Sequence, residues 1–291
     1  MARAGPAVTR VTGMDDTELL AQFDRQVRRA DDEPPPGFRH DRLTDPAPMT
    51  LLTPTGDVSW GGGVFWCDLD ESNADAAIAA AIEHFRPGGR DFEWKHYGYD
   101  RPADLAQRLL AAGFTPEEEE ALVVGEVDAV RARLAGSADV PGITVRRIAD
   151  DAKQQALDWQ HINVLHSTVW SQDSSEHVRA LAAEYLDDPS AMSVWVAESG
   201  DGTVVCAAWV RFHTGTDFAS LWGGSTLEEY RRRGIYKALV ARRADEAAER
   251  GFRFLQVDAS PDSRPILERL GLRTLTSTTP YVWAPPTVAE P

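Results

Sequence analysis

The most informative part of this sequence is the segment Gly223-Gly224-Ser225-Thr226-Leu227-Glu228-Glu229-Tyr230-Arg231-Arg232-Arg233-Gly234-Ile235-Tyr236. It runs from the end of a predicted strand, 218–224, into a predicted helix over 234–250. Three arginines before a helix are unfavourable unless an anion binds there, because a helix N-terminus already carries about half a positive charge. The first amides of a helix also lack intrahelical partners, and Gly234 lets the backbone approach a ligand closely. The segment therefore predicts a cradle for phosphates, most simply a pyrophosphate.

The sequence on both sides of this segment predicts a regular order of elements. Period-2 alternation over 143–148 indicates a half-buried strand, and three- and four-residue spacing of apolar residues over 234–250 indicates a helix. The remaining predicted strands are 192–198, 203–212, 218–224, 252–257 and a last pair that reaches residue 283. The remaining predicted helices are 152–166, 174–186 and 264–270. This order predicts an α/β fold, with a mixed sheet and helices on its faces.

The first half of the chain repeats part of this order. A helix is predicted over 74–85, a strand over 92–97, and a further helix that opens near Pro102 and ends near Gly113. The matching features of the second half follow about 160 residues later, which favours a duplicated fold. The stretch 136–142 is small, polar and interrupted by Pro and Gly, as is typical of a connection. We therefore predict two domains, 1–138 and 139–291.

The pattern Arg231-x-x-Gly234-x-Tyr236 between a strand and a helix resembles the acyl-CoA-binding motif of the GNAT (Gcn5-related N-acetyltransferase) family, Gln/Arg-x-x-Gly-x-Gly/Ala. The element order of 143–283 resembles that whole fold, and the first half resembles a degenerate second copy. The resemblance implies two GNAT-like domains in tandem, each a mostly antiparallel sheet flanked by helices. Domain 1–138 would lack a cofactor motif, and domain 139–291 would be the acetyltransferase that binds acetyl-CoA (CoA).

The resemblance also implies which residues hold the cofactor. Amides of Arg233, Gly234, Ile235 and Tyr236 would hold the pyrophosphate, inside a cationic turn that includes Arg231 and Arg232. The strand end at Gly224, Ser225 and Thr226 would pair with the pantetheine arm, and Ser260 replaces an asparagine that often contacts the cofactor.

Two positions depart from the family pattern. Tyr236 stands where the family has Gly or Ala. Leu267 stands where many members have a tyrosine that acts as general acid. Breaking of the thioester releases CoA as a thiolate. Either another group protonates this thiolate, with Tyr281 as the candidate, or the thiolate leaves unaided.

Acetyl transfer to an amine requires a group that accepts the amine proton. Asp258, just beyond the predicted strand 252–257, is the first candidate for a general base or an anchor of a cationic amine, and capping of the next turn is the alternative. Glu198, at the end of a neighbouring strand, is the second candidate. Trp170, between two helices, and Trp222 are candidates for the wall of an acceptor pocket, with a buried core role as the alternative for each.

These residues predict an N-acetyltransferase that moves an acetyl group from acetyl-CoA to an amine of a small molecule by direct attack. Strand-end amides would polarise the thioester carbonyl as an oxyanion hole does. The competing hypothesis is a non-catalytic acyl-CoA-binding sensor, which Leu267 suggests. The acidic composition favours a cationic acceptor, and whether the chain is a monomer or a homodimer is left open.

Composition excludes several other classes of protein. The 291 residues include 30 Lys and Arg against 46 Asp and Glu, a net charge of −16, which argues against binding of nucleic acid or an anionic membrane.

Two cysteines, Cys67 and Cys206, suffice for neither a disulfide framework nor a cysteine zinc site, and both are predicted core residues. His161 and His166 do not share a helix face, so no metal site is predicted. The absence of a secretory signal and of a long apolar run predicts a cytoplasmic protein.

The first half lacks the cationic turn of the second half. The segment before its helix 74–85, residues 68–75, carries four acids and no arginine or glycine. An anion there would meet like charge. We therefore predict that the first copy binds no CoA, and that it serves as a structural partner that can also wall the substrate cleft. The run Glu117 to Glu120 is predicted to be a solvated turn.

Overall fold

The computed structural model describes residues 14–29, 34–35, 37–56, 58 and 60–285, so both outer ends of the two predicted domains lie outside the described residues. The strands are β1 Phe38–Leu43, β2 Met49–Pro54, β3 Gly63–Cys67, β4 Phe92–Tyr97, β5 Thr115–Pro116, β6 Glu120–Glu126, β7 Ile143–Arg147, β8 Met192–Ser199, β9 Val204–Phe212, β10 Phe218–Thr226, β11 Phe254–Ala259 and β12 Arg273–Trp283. The helices are α1 Asp16–Phe23, α2 Ala74–Phe85, α3 Leu105–Ala111, α4 Val127–Arg133, α5 Ala152–Trp170, α6 Ser175–Asp187, α7 Ile235–Glu249 and α8 Arg264–Arg269. A π-helical turn, Asp24–Arg28, continues α1. None of the helices in these ranges is long and apolar enough to cross a membrane.

All of these strands belong to one mixed sheet, which confirms the predicted α/β class. Its order is β1-β2-β3-β4-β12-β6-β11-β10-β9-β8-β7, and β5 pairs with β12. The pairs β3–β4 and β10–β11 are parallel, and the other pairs are antiparallel. The two parallel pairs occupy equivalent places on either side of the central β12–β6 pair, as a duplicated fold requires.

The two halves exchange strands at the centre of this sheet. Strand β6 precedes residue 138 in the chain, yet it pairs with β11 of the second half. Strand β12 ends the second half, yet it pairs with β4 of the first. Residue 138 divides the chain into an N-terminal half and a C-terminal half, but the sheet does not divide there. The expectation of a separate sheet for each half is therefore corrected to one shared sheet.

Helices cover both faces of the sheet. On one face, α2 and α3 pack on Phe92 and Trp94, and α4, α7 and α8 pack on Val123 and Leu255. The other face carries α1 over Tyr97 and α5 and α6 over the strands β8 and β9. This second face is only partly covered, because α1 and the pair α5–α6 are separate groups.

Two element boundaries differ from the prediction in ways that affect the site. Helix α5 continues to Trp170 instead of ending near 166, because no Gly or Pro interrupts it before Ser171, whose φ is 53°. Strand β11 starts at Phe254, because the Phe252 amide donates to the Ala247 carbonyl and so closes the end of α7. As a result, Asp258 lies inside β11, and Trp170 is the last residue of α5.

Candidate functional site

Strands β10 and β11 form a V-shaped opening in the sheet. They pair only at Phe218–Phe254, Ala219–Leu255 and Ser220–Gln256, and diverge after these three positions. A bulge in β10 between Gly223 and Ser225 bends the strand away. Both bulge glycines, Gly223 and Gly224, have positive φ, of 73° and 95°. Beyond Ser220, the β11 side of β10 is therefore unpaired, and we call the space between the two strands the β10–β11 gap.

A continuous cleft of about 2220 Å³ passes through this gap. It reaches from the start of α7, at Ile235, to the sheet face that carries α5 and α6. Gly224 and Ser260 line it in the gap, and Trp222 and Asp258 line its continuation across that face. We call it the central cleft.

The N-terminus of α7 has no side-chain cap within the part of the chain that the structure describes. Its N-cap residue is Gly234, with a φ of 86° and no side-chain hydrogen bond. The first-turn amides of α7 therefore have no intrahelical acceptor and point toward the mouth of the gap. Gly234 takes a left-handed conformation that other residues adopt only at a cost.

Four cations surround this helix end, and all four are exposed: Arg231, Arg232, Arg233 and Lys237. No ion pair joins them to a carboxylate anywhere in the described ranges. Arg231 donates from Nε to the Thr226 carbonyl at 3.2 Å, and the Arg233 guanidinium lies 4.8 Å from the centre of the Tyr230 ring. Arg231, Arg232 and Lys237 line the central cleft. Cations at the positive end of a helix, with no ion-pair partner among the described residues, favour binding of an anion, so the predicted anion site stays a prediction that this geometry allows.

The tyrosine at position 236 fits because position 224 has no side chain. A Cβ atom built on Gly224 would lie 2.7 Å from Cε2 of Tyr236. The Tyr236 ring thus occupies the place of a residue-224 side chain, while its amide stays in the first turn of α7. Gly223 makes room in the same way for Trp209, whose Cζ3 would lie 2.5 Å from an added Cβ.

The other predicted cofactor residues lie around the gap. Ser225 is buried, and Oγ1 of Thr226 lies 3.1 Å from Sγ of Cys206, itself a core residue as predicted. Ser260 follows β11 and lines the cleft, but its hydroxyl lies 3.2 Å from that of Ser263 in a local turn. Leu267 is fully buried in the core beneath the sheet and offers no proton donor.

Asp258 lies beside the gap in a group of charges that we call the Lys95 cluster: Glu93, Lys95, Glu120 and Asp258. The Lys95 ammonium lies 3.2 Å from Oδ2 of Asp258 and 3.0 Å from Oε2 of Glu120. All four residues line the central cleft. Glu120 is therefore a half-buried ion-pair partner, which corrects its assignment to a solvated turn. Burial raises the pKa of the Glu93 carboxyl to about 7, although the Lys95 ammonium acts in the opposite direction.

Aromatic rings form one wall of the cleft. Trp170 and Trp222 are 39% and 44% exposed, so the core alternative is wrong for both. The ring centre of Trp170 lies 4.5 Å from that of His166 and 5.5 Å from that of His177. Burial lowers the pKa of His166 to about 4, which keeps its ring neutral near pH 7. The wall also carries charges where it meets α6, because Arg211, whose guanidinium lies 4.7 Å from the centre of the Trp222 ring, and its partner Glu184 line the same cleft.

Two predicted catalytic residues lie away from the cleft. Glu198 accepts from Nε of Arg146 at 3.1 Å, in an ion-pair group that joins β7 to β8 and α5. Tyr281 is opposite Trp94 in the β12–β4 pair and packs with it in the N-terminal core. Lys95 is adjacent to Trp94 in β4, so Tyr281 faces the side of the sheet opposite to the Lys95 cluster. Neither residue can reach the gap without a change of fold.

The equivalent region of the N-terminal half is built differently. The Asp70 carboxylate accepts from the amides of Ser72 at 2.8 Å and Asn73 at 3.1 Å, so an acid occupies the loop before α2. Strands β3 and β4 pair only at Gly63–Glu93 and Val64–Trp94.

A side chain closes the opening between β3 and β4. Arg28 donates from Nε to the Phe65 carbonyl at 3.0 Å, and its guanidinium pairs with Asp100 at 3.0 Å. The same guanidinium lies 3.8 Å from the centre of the Tyr97 ring. Arg28 therefore occupies the place that corresponds to the β10–β11 gap, consistent with the prediction that this half binds no CoA.

Sequence reasoning missed four of these residues. Lys237 lies in the first turn of α7, four residues after Arg233, and this closeness to the arginine run could have marked it. Glu93 and Lys95 alternate with Phe92 and Trp94, and that alternation could have predicted a charged strand face. Nothing local to Arg28 marks it, because its partners are distant in the chain.

Comparisons with known proteins agree with this architecture. Residues 158–272 match the model of the acetyltransferase (GNAT) family. A tandem GNAT protein from the clavulanic acid biosynthesis pathway has a TM-score of 0.58 at 15% identity, over 86% of this chain and 84% of that one. A GCN5-related N-acetyltransferase from Kribbella flavida has a TM-score of 0.56 at 17% identity, over 94% of this chain and 95% of that one. No curated protein matches the sequence significantly. The structural likeness extends across both halves and concerns the fold.

Proposed function

Because residues 158–272 form a GNAT acetyltransferase domain, we propose that the C-terminal half binds acetyl-CoA and transfers its acetyl group to an amine of a small molecule. The observation that carries this proposal is the uncapped, cationic N-terminus of α7 at the mouth of the β10–β11 gap. A pyrophosphate supplies the negative charge that this helix end lacks.

The cofactor residues act together in this proposal. Amides of Ile235 and Tyr236 donate to the pyrophosphate, and Arg231, Arg232 and Lys237 supply charge around it. The unpaired edge of β10 from Gly224 to Thr226 provides backbone groups for the amides of the pantetheine arm, which then lies in the gap as an additional strand would. The arm leads from α7 toward Asp258 and the aromatic wall.

Acetyl-CoA supplies an activated acyl group as a thioester. The amine nitrogen forms a bond to the thioester carbonyl carbon, the carbon–sulfur bond breaks, and the electron pair leaves with sulfur. Asp258 takes the proton that the amine loses. Strand-end amides of β10 stabilise the negative charge that develops on the carbonyl oxygen.

The leaving thiolate needs no acid from the protein in this scheme. Leu267 is apolar and Tyr281 faces the other side of the sheet, so neither donates a proton. An alkyl thiol has a pKa of about 8.5, which makes its thiolate a reasonable leaving group near neutral pH. The thiolate then takes a proton from solvent.

The acceptor site in this proposal combines aromatic and acidic surfaces. Trp170 and Trp222 bound the cleft on one side, and the Lys95 cluster has three carboxyl groups against one ammonium. An amine that is protonated in solution is attracted to such a cluster. We propose a small primary amine with an apolar part as the acceptor.

Two experiments test the proposal. Calorimetric titration with acetyl-CoA should show binding to the wild type, and Arg232→Glu should weaken it by about tenfold or more because it places a carboxylate beside the phosphates. Arg25→Glu makes the same charge change at an exposed site in the other half and should leave affinity within about twofold. Unchanged affinity in Arg232→Glu would remove the phosphate cradle.

Turnover is tested by thiol release with phenethylamine, spermidine, glucosamine and lysine as acceptors. We expect release with at least one amine, and Asp258→Asn should lower kcat by about 100-fold or more while acetyl-CoA still binds. Binding without release for every amine would favour the alternative, an acyl-CoA-binding sensor. The observation behind that alternative is the fully buried Leu267 in place of an acid.

A further inference from the structure

We infer that Lys95 of the N-terminal half positions Asp258 of the C-terminal half, so that both halves build the reaction centre. The inference rests on the proposed role of Asp258. It assigns to the N-terminal half a direct part in the reaction site, beyond that of a structural partner.

The strand order makes this contact possible. In the order β4-β12-β6-β11, Lys95 and Asp258 are three strand spacings apart, or about 14 Å at about 4.8 Å per spacing. Lys95 is opposite Pro280 in β12, and Asp258 is opposite Leu122 in β6. The Lys95 side chain and the shorter Asp258 side chain reach toward each other across that distance, and the Lys95 ammonium ends 3.2 Å from Oδ2 of Asp258. Only the strand exchange places β4 and β11 on one continuous surface.

Lys95 is a buried charge. It is 8% exposed, and a buried ammonium is costly unless it is paired and hydrogen-bonded. Burial alone would lower the pKa of Lys95, but the carboxylates of Asp258, Glu93 and Glu120 raise it above its ordinary value. Lys95 therefore stays charged near neutral pH.

Asp258 depends on this single cation. Within the described part of the chain, Lys95 is the only cation in an ion pair with Asp258, and Oδ1 of Asp258 has no hydrogen-bond partner. The Asp258 side chain is 23% exposed and lies at the edge of the cleft. An ammonium beside one carboxylate oxygen restricts the rotamers of Asp258 and so sets the direction of the other oxygen, Oδ1. It thus holds Asp258 ready to bind the ammonium of an acceptor and to take its proton.

The test compares Lys95→Met, which removes the charge at nearly constant volume, with Lys95→Arg, which keeps the charge but moves it. Lys153→Met is the control, because Lys153 is exposed at the start of α5. Thiol release from acetyl-CoA is followed with the best amine of the panel and with water as the only acceptor. Acetyl-CoA affinity and the midpoint of thermal unfolding are measured on the same samples.

For Lys95→Met we expect kcat to fall by about tenfold or more, with acetyl-CoA affinity within about twofold of the wild type. We also expect the acid limb of the pH–kcat profile to move to higher pH, because the Lys95 ammonium lowers the pKa of the Glu93 and Glu120 carboxyls and its loss favours their protonated forms. Lys95→Arg should fold with a smaller loss of kcat and a smaller shift of the profile. Lys153→Met should match the wild type in every measurement.

The outcomes separate this inference from the proposed function. If both Lys95 variants keep the wild-type kcat and pH profile while Asp258→Asn loses activity, Lys95 does not position Asp258, although Asp258 remains the base. If Asp258→Asn is fully active, the proposed base itself is wrong. A parallel fall of affinity, kcat and thermal stability, with no change in the pH profile, would show a structural role and overturn the inference. If Lys95→Met does not fold, the kcat and pH profile of Lys95→Arg decide.

Discussion

Gly224 and Tyr236 depend on each other at the entrance of the β10–β11 gap. Gly224 has a φ of 95°, and an added Cβ would collide with the Tyr236 ring. The motif of the GNAT family has a small residue at the position of Tyr236. In this chain the Tyr236 ring occupies the space that a side chain at position 224 would need.

This dependence predicts the effect of Gly224→Ala. The positive φ costs about 1–2 kcal/mol for a residue with a Cβ, and the contact with Tyr236 adds about 1–3 kcal/mol of overpacking. We expect a corresponding loss in the free energy of unfolding, measured by urea denaturation, and weaker binding of acetyl-CoA.

Two further variants isolate the contact with the ring. Gly202 has a φ of 85° and no atom within 4 Å of an added Cβ, so Gly202→Ala measures the backbone cost alone. In the double variant Gly224→Ala/Tyr236→Ala, the collision is absent. Its loss in the free energy of unfolding should therefore be smaller than the sum of the two single-variant losses by about 1 kcal/mol or more. Additive losses would contradict the coupling.

At the scale of elements, the two parallel strand pairs show how one fold is kept open in one half and closed in the other. The pair β10–β11 is opened by a bulge with two glycines and faces an uncapped helix. The pair β3–β4 is bridged by Arg28 from the turn that follows α1. The side chains of Arg28 and Asp100 are 2% and 3% exposed, so this bridge is a buried ion pair.

Removing the bridge should destabilise the protein without affecting the cofactor site. Arg28→Met leaves the buried Asp100 carboxylate without its partner, and we expect the free energy of unfolding to fall by about 3–5 kcal/mol. Acetyl-CoA affinity should stay within about twofold, because Arg28 contacts Phe65, Tyr97 and Asp100, away from the N-terminus of α7. Arg25→Met, three residues earlier and exposed, should change stability by less than about 0.5 kcal/mol. Denaturant titration and calorimetry measure both quantities, and a stable Arg28→Met variant would argue against the bridge.

At the scale of the whole molecule, the exchange of β6 and β12 joins the halves into one structural unit. Each half without the other would lose a strand from the middle of its sheet and expose an unpaired edge, on β11 or on β4. The cores on both faces of the sheet would also be exposed at these edges. The structure therefore favours cooperative unfolding of the chain as one unit.

Separate expression of the halves tests this unity. We expect fragment 139–291 alone to aggregate or to fail to bind acetyl-CoA. Co-expressed fragments 1–138 and 139–291 should purify together through a tag on either one, because the cut lies in the connection between α4 and β7 and interrupts no strand. Calorimetry on the intact chain should show a single transition. A monomeric, folded fragment 139–291 that binds acetyl-CoA would contradict the prediction.

The amino-acid sequence by itself determined the features that depend on neighbouring residues. Periodicity placed α2 and β4 at their observed bounds. The run from Arg231 to Gly234 placed the cationic turn before α7 and predicted an anion site there, because helix ends and phosphate cradles are made from consecutive residues. The repeat at about 160 residues likewise predicted the duplication, which appears as two equivalent parallel strand pairs.

Only the tertiary structure decided which distant residues meet. The exchange of β6 and β12 brings Lys95 to Asp258, and the return of the α1 turn to β3 brings Arg28 to Asp100. It also turns Tyr281 to the face opposite the cleft and engages Glu198 with Arg146. Strand edges carry the same backbone groups whatever their sequence, so the choice of neighbour depends on how the whole chain packs, and no local pattern records it.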